Sequence, residues 1–174
     1  MRSTWGASTN PQLEPPTTVL IVDDDPAIHD DFLRALAERS GPRTTEIEAL
    51  LFGAGAPASK AVGHLLEHAY QGREALDVIE AGLRRGRQTM VAFVDMRMPP
   101  GWDGIETIER LWQVDPAIQC VVCTAYSDFV WEEAQARLHH NRRLHLLRKP
   151  FRTSEVVRLA GVLAGKWQRE QAQG

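Results

Sequence analysis

Residues 19–26 read Val19-Leu20-Ile21-Val22-Asp23-Asp24-Asp25-Pro26, and this stretch decides the fold of the chain. Four consecutive apolar residues are typical of a short strand that is buried on both faces. A proline that follows acidic residues is typical of the first turn of a helix. The next apolar positions recur at helical spacing, at Ile28, Phe32, Ala35 and Leu36. The stretch therefore predicts a buried strand that passes directly into a helix, with carboxylates at the junction.

The same alternation of strand and helix repeats along the chain. Further short apolar runs, which predict strands, occupy residues 64–70, 90–94, 118–123 and 144–147. Each run is followed by a predicted helix, which after the fourth strand spans residues 128–138. The other helices have apolar positions at helical spacing, which are Ala75, Leu76, Ile79, Leu83, Ile105, Ile108, Leu111, Trp112, Val156, Leu159, Ala160, Leu163 and Trp167. Five strand–helix pairs predict an α/β chain with a doubly wound parallel sheet and helices on both faces.

Length and composition fit one globular domain without a membrane or nucleic-acid surface. The chain has 174 residues, of which 43% are hydrophobic and 25% are charged, as in ordinary globular proteins. Twenty Lys and Arg against 23 Asp and Glu give a net charge of −3, so we expect no direct contact with nucleic acid. No apolar run is long enough for a spanning helix or a secretory signal, so we expect a cytoplasmic protein with no membrane contact.

Departures from the alternation suggest how the domain is bounded. Residues 1–17 are polar and rich in proline, which predicts a flexible lead-in before a single domain at residues 18–167. Residues 41–62 exceed what a helix–strand connection needs and predict an insertion, with a short helix at 46–52 and a flexible loop at 53–58. Residues 168–174 predict a polar helical tail with little to pack on.

Side chains that can carry chemistry stand at the ends of four predicted strands. They are Asp23, Asp24, Asp95, Thr124 and Lys149. Because functional sites of doubly wound folds lie outside the carboxyl ends of the strands, we expect these side chains to converge at one edge. Any one of them alone is more simply explained as a helix cap or a turn residue. The complete set, at the ends of the first, third, fourth and fifth predicted strands, favours a functional site.

The residue types of this set favour phosphoryl chemistry with a magnesium ion. Crowded carboxylates repel one another unless a cation joins them, and oxygen ligands suit Mg²⁺ above other ions. The Lys149 ammonium and the Thr124 hydroxyl can both bind phosphoryl oxygens. An aspartate in the position of Asp95 can act as a nucleophile that accepts a phosphoryl group as an acyl phosphate.

The motifs of the chain closely resemble the receiver domain of two-component response regulators, the CheY-like superfamily. The resemblance covers residues 18–164, apart from the insertion. It is carried by residues 19–26 together with Phe93-Val94-Asp95-Met96-Arg97-Met98-Pro99, Asp103-Gly104, Thr124-Ala125 and Lys149-Pro150-Phe151. The longer spellings at residues 95–104 and 123–128 resemble receivers found in larger signalling proteins, beside sensor kinase or cyclic-dinucleotide enzyme modules.

This resemblance implies a flavodoxin-like (βα)₅ fold with strand order 2-1-3-4-5. It also implies Mg²⁺-dependent transfer of a phosphoryl group to Asp95 from a histidine kinase or a histidine phosphotransfer protein. Such a domain is not a turnover enzyme, since it catalyses only its own phosphorylation and slow dephosphorylation. The implied Mg²⁺ ligands are Asp23, Asp24, Asp95 and the backbone carbonyl of Arg97. The implied phosphoryl-binding residues are Thr124 and Lys149, with a cis peptide bond between Lys149 and Pro150.

The resemblance also implies an output surface formed by the fourth helix, the fifth strand and the fifth helix. The last helix is expected to contact a following domain or the partner subunit of a homodimer. Two further features depart from the family pattern. The loop at residues 98–103 is one residue longer than usual, and Leu146 stands where an aromatic side chain is usual.

Two other functions remain open at the level of sequence. A haloacid-dehalogenase-like phosphatase also uses an aspartate nucleophile, Mg²⁺, threonine and lysine, although it places the nucleophile on the first strand. A pseudo-receiver would keep the fold as a binding module without phosphorylation.

Several smaller motifs are better explained by structure. Cys120 and Cys123 match a C-x-x-C motif, but on a strand their side chains point to opposite faces and cannot form a disulfide. The motifs His29-Asp30-Asp31 and His139-His140 suggest metal ligands, but adjacent residues on a helix do not face each other. We therefore expect these histidines to lie on a solvated surface.

Overall fold

The computed structural model describes residues 17–37, 64–125, 128–139 and 141–173. Within these ranges, strands and helices alternate throughout. The strands are β1 (Thr17–Val22), β2 (His64–Ala69), β3 (Val91–Asp95), β4 (Gln119–Thr124) and β5 (Leu144–Arg148). The helices are α1 (Pro26–Ala37), α2 (Gly72–Arg84), α3 (Gly104–Val114), α4 (Asp128–Arg137) and α5 (Thr153–Gln171). The predicted alternation is confirmed.

The five strands form one parallel sheet in the order β2-β1-β3-β4-β5. This order confirms the flavodoxin-like fold. The register aligns Val22 with Val94, Asp95 with Cys123, and Thr124 with Arg148. Because of this alignment, the carboxyl ends of β1, β3, β4 and β5 meet at one edge of the sheet.

Apolar side chains fill both faces of the sheet, in two separate clusters. Alternate strand residues such as Leu20, Val94 and Cys120 pack against helices α2 and α3. The intervening residues, such as Ile21 and Cys123, pack against α1 and α5. The central residues of β1, β3 and β4 are therefore apolar and buried, as a sheet covered on both faces requires, and the polar residues of these strands lie at their ends. The two cysteines are free, buried and on opposite faces, as predicted.

Acidic side chains begin three of the helices. The Asp25 carboxylate accepts the backbone N–H of Ala27 at 2.9 Å in the first turn of α1. Asp103 is the N-cap of α3 and accepts the N–H of Glu106 at 2.7 Å. In α5 the Glu155 carboxylate accepts the N–H of Arg152 at 2.7 Å. These bonds satisfy N–H groups that have no partner within the helix.

The ends of the domain differ from the predicted boundaries. Thr17, which the sequence assigns to the lead-in, is the buried first residue of β1 and pairs with His64. The tail is not free of packing either, since Glu170 accepts hydrogen bonds from Gln119 at 3.2 Å and from Arg143 at 2.9 Å. The predicted insertion at 41–62, with its helix and loop, lies outside the described residues. Within the described ranges, no helix has the length and apolar composition needed to cross a membrane.

Candidate functional site

Three of the predicted site residues meet at the carboxyl edge of the sheet. Asp23 follows β1, Asp95 ends β3 and Lys149 follows β5. The Lys149 ammonium donates to Asp23 Oδ2 at 2.6 Å and to Asp95 Oδ1 at 2.7 Å. One ammonium therefore holds two carboxylates that come from distant parts of the sequence.

Backbone amides fix the second oxygen of each carboxylate. The N–H of Asp25 donates to Asp23 Oδ1 at 3.0 Å, and the N–H of Arg97 donates to Asp95 Oδ2 at 2.8 Å. Each donor lies two residues beyond its acceptor, so the turn after each strand orients the carboxylate that ends it. Each carboxylate thus has one oxygen bonded to Lys149 and the other bonded to the backbone of the loop that follows its strand.

Burial and charge oppose each other at this site. Asp23 is only 3% exposed, and burial raises the pKa of its carboxyl although Lys149 and the Asp25 amide act in the other direction. Burial alone would lower the pKa of Lys149, but its hydrogen bonds to Asp23 and Asp95 outweigh burial, and its pKa is raised. Lys149 therefore stays an ammonium ion between the two carboxylates.

The other predicted site residues lie around this trio. Thr124 is buried at the end of β4, and its backbone carbonyl accepts the N–H of Lys149 at 2.8 Å. Asp24 and Arg97 are exposed beside Asp23 and Asp95 respectively. The peptide bond between Lys149 and Pro150 is cis, as predicted.

The donor atoms of the site fit a magnesium ion. Among the described residues, no three His, Cys, Asp or Glu side chains are grouped so that they could hold a metal ion. Mg²⁺ does not require such a group, because it uses one or two carboxylates and keeps several waters. Asp23 and Asp95 already share one cation, the Lys149 ammonium, and present only oxygen atoms. These two carboxylates suit a hard divalent ion.

The loop between β3 and α3 packs tightly against Asp95. The Gly104 N–H donates to the carbonyl of Met96 at 3.1 Å. A Cβ atom on Gly104 would lie far inside van der Waals contact with the Asp95 carbonyl oxygen. Trp102, in the lengthened part of the loop, is half-buried, and the Arg110 guanidinium lies 5.3 Å from its ring centroid. Glycine at position 104 therefore allows α3 to begin directly behind Asp95.

His29 contradicts the prediction of a solvated surface. It is only 3% exposed, and its Nε2 lies 2.8 Å from the backbone carbonyl oxygen of Asp23. Its Nδ1 contacts Nδ1 of His68 at 2.9 Å. The sequence does contain a signal for this placement, since His29 precedes the buried Phe32 by three residues and so shares its helix face.

Comparison with proteins of known structure identifies the fold. No protein-family model matches the chain, and no curated protein is significantly similar to it. A "response regulator receiver domain protein (CheY-like)" from Methanospirillum hungatei JF-1 has a similar structure, with a TM-score of 0.63 and 21% identity over 89% of this chain and 98% of that chain.

Two further solved structures are similar over nearly their whole length. The signal receiver domain of an HD domain-containing protein from Pseudomonas fluorescens Pf-5 has a TM-score of 0.66 and 15% identity, over 92% of this chain and 96% of that chain. A structure named adenylate cyclase from Rhodopirellula baltica has a TM-score of 0.64 and 19% identity, over 91% of this chain and 94% of that chain. The chain therefore has the α/β fold of response regulator receiver domains.

Proposed function

We propose that the chain is a phosphoryl-accepting signalling domain, in which Asp95 takes a phosphoryl group from a phospho-histidine in an Mg²⁺-dependent reaction. The observation that carries this proposal is the contact of the Lys149 ammonium with both Asp95 and Asp23. In a receiver-type fold, this contact joins a carboxylate that can act as a nucleophile, a second carboxylate and a fixed positive charge at one sheet edge. The donor is a histidine kinase or a histidine phosphotransfer protein.

The chemistry follows from the groups that surround Asp95. An oxygen of its carboxylate attacks the phosphorus of the phospho-imidazole, so a P–O bond forms while the P–N bond breaks and the imidazole leaves with its electron pair and takes up a proton. Asp23 and Asp95, together with Asp24 and the Arg97 carbonyl, would hold Mg²⁺, which would neutralise charge on the transferred group. Lys149 then exchanges its contact with the Asp95 carboxylate for a phosphoryl oxygen, and the Thr124 hydroxyl binds another.

The domain acts as a switch and not as a turnover enzyme. One structural neighbour is named as the signal receiver domain of an HD domain-containing protein and another as an adenylate cyclase, which supports a place beside other signalling modules. Its expected contacts through α5 are a following domain or a second copy of the chain, and its expected location is the cytoplasm.

Labelling with acetyl phosphate or a phospho-histidine donor tests the proposal. We expect about one base-labile phosphoryl group per chain in Mg²⁺ and none in EDTA or in Asp95→Asn. The matched control is Asp103→Asn on the same loop, since asparagine caps a helix as well as aspartate does. Label on Asp95→Asn would refute the assignment of the acceptor. Sustained release of phosphate would support a phosphatase, and no labelling would support a pseudo-receiver.

A further inference from the structure

The His29 ring is held by contacts on three sides. Its Nε2 lies 2.8 Å from the Asp23 carbonyl oxygen, and its Nδ1 lies 2.9 Å from Nδ1 of His68. The Tyr70 ring packs against it with a centroid separation of 4.5 Å. These contacts join helix α1, the end of β2 and the loop after β1 through one buried side chain.

The contacts fix the tautomer of both histidines. A carbonyl oxygen only accepts hydrogen bonds, so the proton of neutral His29 lies on Nε2, which donates to the Asp23 carbonyl. Its Nδ1 is then an acceptor, and Nδ1 of His68 must carry the proton between them. The contacts with the Asp23 carbonyl and with His68 are therefore both satisfied by the same tautomer of neutral His29.

The backbone of Asp23 is thereby bound at both of its polar groups. Its N–H donates to the carbonyl of Ala69 at 3.2 Å, and its carbonyl accepts from His29. With both groups engaged, the peptide planes on either side of Asp23 are fixed relative to the sheet. The direction of the Asp23 carboxylate, and of the following Asp24, depends on those planes.

We propose that His29, which contacts both the Asp23 carbonyl and His68, is a positioning residue for the magnesium site. This inference rests on the proposed function, because it concerns the carboxylates that would bind Mg²⁺. Groups that orient metal ligands through a hydrogen bond commonly change affinity by 10- to 100-fold when they are removed. We expect His29 to act through Asp23 without touching the ion.

Two substitutions at the same position separate the two hydrogen bonds of His29. In His29→Gln the amide nitrogen lies as many bonds from Cα as Nε2 does, so it can still donate to the Asp23 carbonyl. In His29→Asn the amide reaches only as far as Nδ1, so that bond is lost while the contact with His68 is kept. His145→Gln is the control, because His145 is a half-buried histidine at the start of β5, bonded to Gln119.

Magnesium affinity is measured directly from the ¹H–¹⁵N shifts of the Asp25 and Arg97 amides, which donate to the two carboxylates. We expect at least about tenfold weaker binding in His29→Asn, and affinities within about threefold of wild type in His29→Gln and His145→Gln. Equal affinity in a folded His29→Asn variant would overturn the proposal. If wild type itself binds no Mg²⁺, the proposed function falls before the variants are compared.

The His29 tautomer gives a second measurement that does not depend on the folding of His29→Asn. Imidazole ¹⁵N shifts of wild type are expected to show a proton on Nε2 of His29. His68→Phe removes the donor to Nδ1 and is expected to weaken this preference, with at least about threefold weaker Mg²⁺ binding. A wild-type proton on Nδ1, or unchanged Mg²⁺ affinity in His68→Phe despite a changed tautomer, would refute the inference.

Discussion

Lys149 is the residue on which both carboxylates of the site depend. The side chains of Asp23 and Asp95 are 4% and 12% exposed, so neither charge is fully solvated. Removing one member of a buried ionic group leaves the others without compensation, which costs far more than a surface ion pair contributes. The two carboxylates therefore need a compensating positive charge, and a divalent cation can also supply it.

Lys149→Ala should increase the stabilising effect of Mg²⁺ and abolish the response to a phosphoryl mimic. Without Mg²⁺ we expect the variant to be about 2–4 kcal/mol less stable than wild type. Mg²⁺ should restore part of that loss and bind more tightly than in wild type, because a neighbouring positive charge is gone. Thermal unfolding with and without Mg²⁺ measures both effects. The variant should also lose its conformational response to beryllofluoride, a phosphoryl mimic.

Lys166→Ala is the matched control for this experiment. Lys166 is also a partly buried lysine, but it donates to the carbonyl of Arg142 away from the site. We expect it to leave Mg²⁺ affinity and the beryllofluoride response unchanged. A Lys149→Ala variant that still responds to beryllofluoride would contradict the role given to the ammonium.

His145 should make the fold less stable in weak acid. Burial, reinforced by the charge of Lys166, lowers the pKa of His145 from 6.5 to about 4. His145 therefore takes up a proton near pH 6.5 in the unfolded chain but only near pH 4 in the folded chain. Its contribution to stability is complete above pH 6.5 and declines as the pH falls from 6.5 to 4. Allowing for its partial exposure, we expect a loss of about 1–2 kcal/mol.

The difference between wild type and His145→Gln isolates this contribution from that of the carboxyl groups. Urea unfolding at pH 7.5 and at pH 4.5 should show a smaller loss of stability in the variant. Identical losses in both proteins would mean that His145 is protonated as easily in the folded state as in the unfolded one.

Gly104 shows how an element boundary sets the position of a functional side chain. Gly104→Ala would press a methyl group against the Asp95 carbonyl, so the start of α3 or the end of β3 must shift. We expect a loss of about 2–3 kcal/mol, as for overpacked sites, together with slower phosphorylation. Gly161→Ala is the control, because a methyl group there has no neighbour within 4 Å and should stabilise α5 by about 0.5–1 kcal/mol. Urea unfolding of both variants tests the contrast.

Strands and helices could be predicted from sequence where the residue pattern of a single element is enough to identify it. Residues 19–22 and 90–94 are buried on both faces and read as uninterrupted apolar runs, so their strands were found. Thr17 was missed because a polar residue joins β1 only through its pairing with His64. The packing of Glu170 could not be predicted for the same reason, since its partners are Gln119 at the start of β4 and Arg143 just before β5.

The functional site likewise contains contacts that could be predicted from sequence and contacts that could not. Asp23, Asp95 and Lys149 were predicted to meet because each stands at the end of a parallel strand, and the fold alone brings such ends together. The spacing of His29 from Phe32 indicates that His29 is buried, but its contact with His68 arises only because β2 brings His68 beside α1. Nothing in the local sequence around His29 indicates that partner.

At the scale of the whole molecule, the ends of β4 and β5 are coupled beside the site. The Thr124 carbonyl accepts the N–H of Lys149 at 2.8 Å, so both residues expected to bind the phosphoryl group share one backbone contact. Leu146, in place of an aromatic residue, is half-buried and packs against the cluster formed with α2 and α3. Rotation of an aromatic side chain at position 146 is therefore excluded. The structural effect of phosphorylation must reach the rest of the domain by another route.

We predict that the response leaves through residues 125–131, where the loop after β4 enters α4. When the Thr124 hydroxyl is drawn to a phosphoryl oxygen, the loop that follows it must move; of its residues, Tyr126 and Ser127 lie outside the described ranges. Hydrogen exchange with and without beryllofluoride in Mg²⁺ should show changed protection across residues 125–131, and none in Asp95→Asn. Changes confined to residues 23–25 and 95–98 would show that the site closes without passing its state to α4.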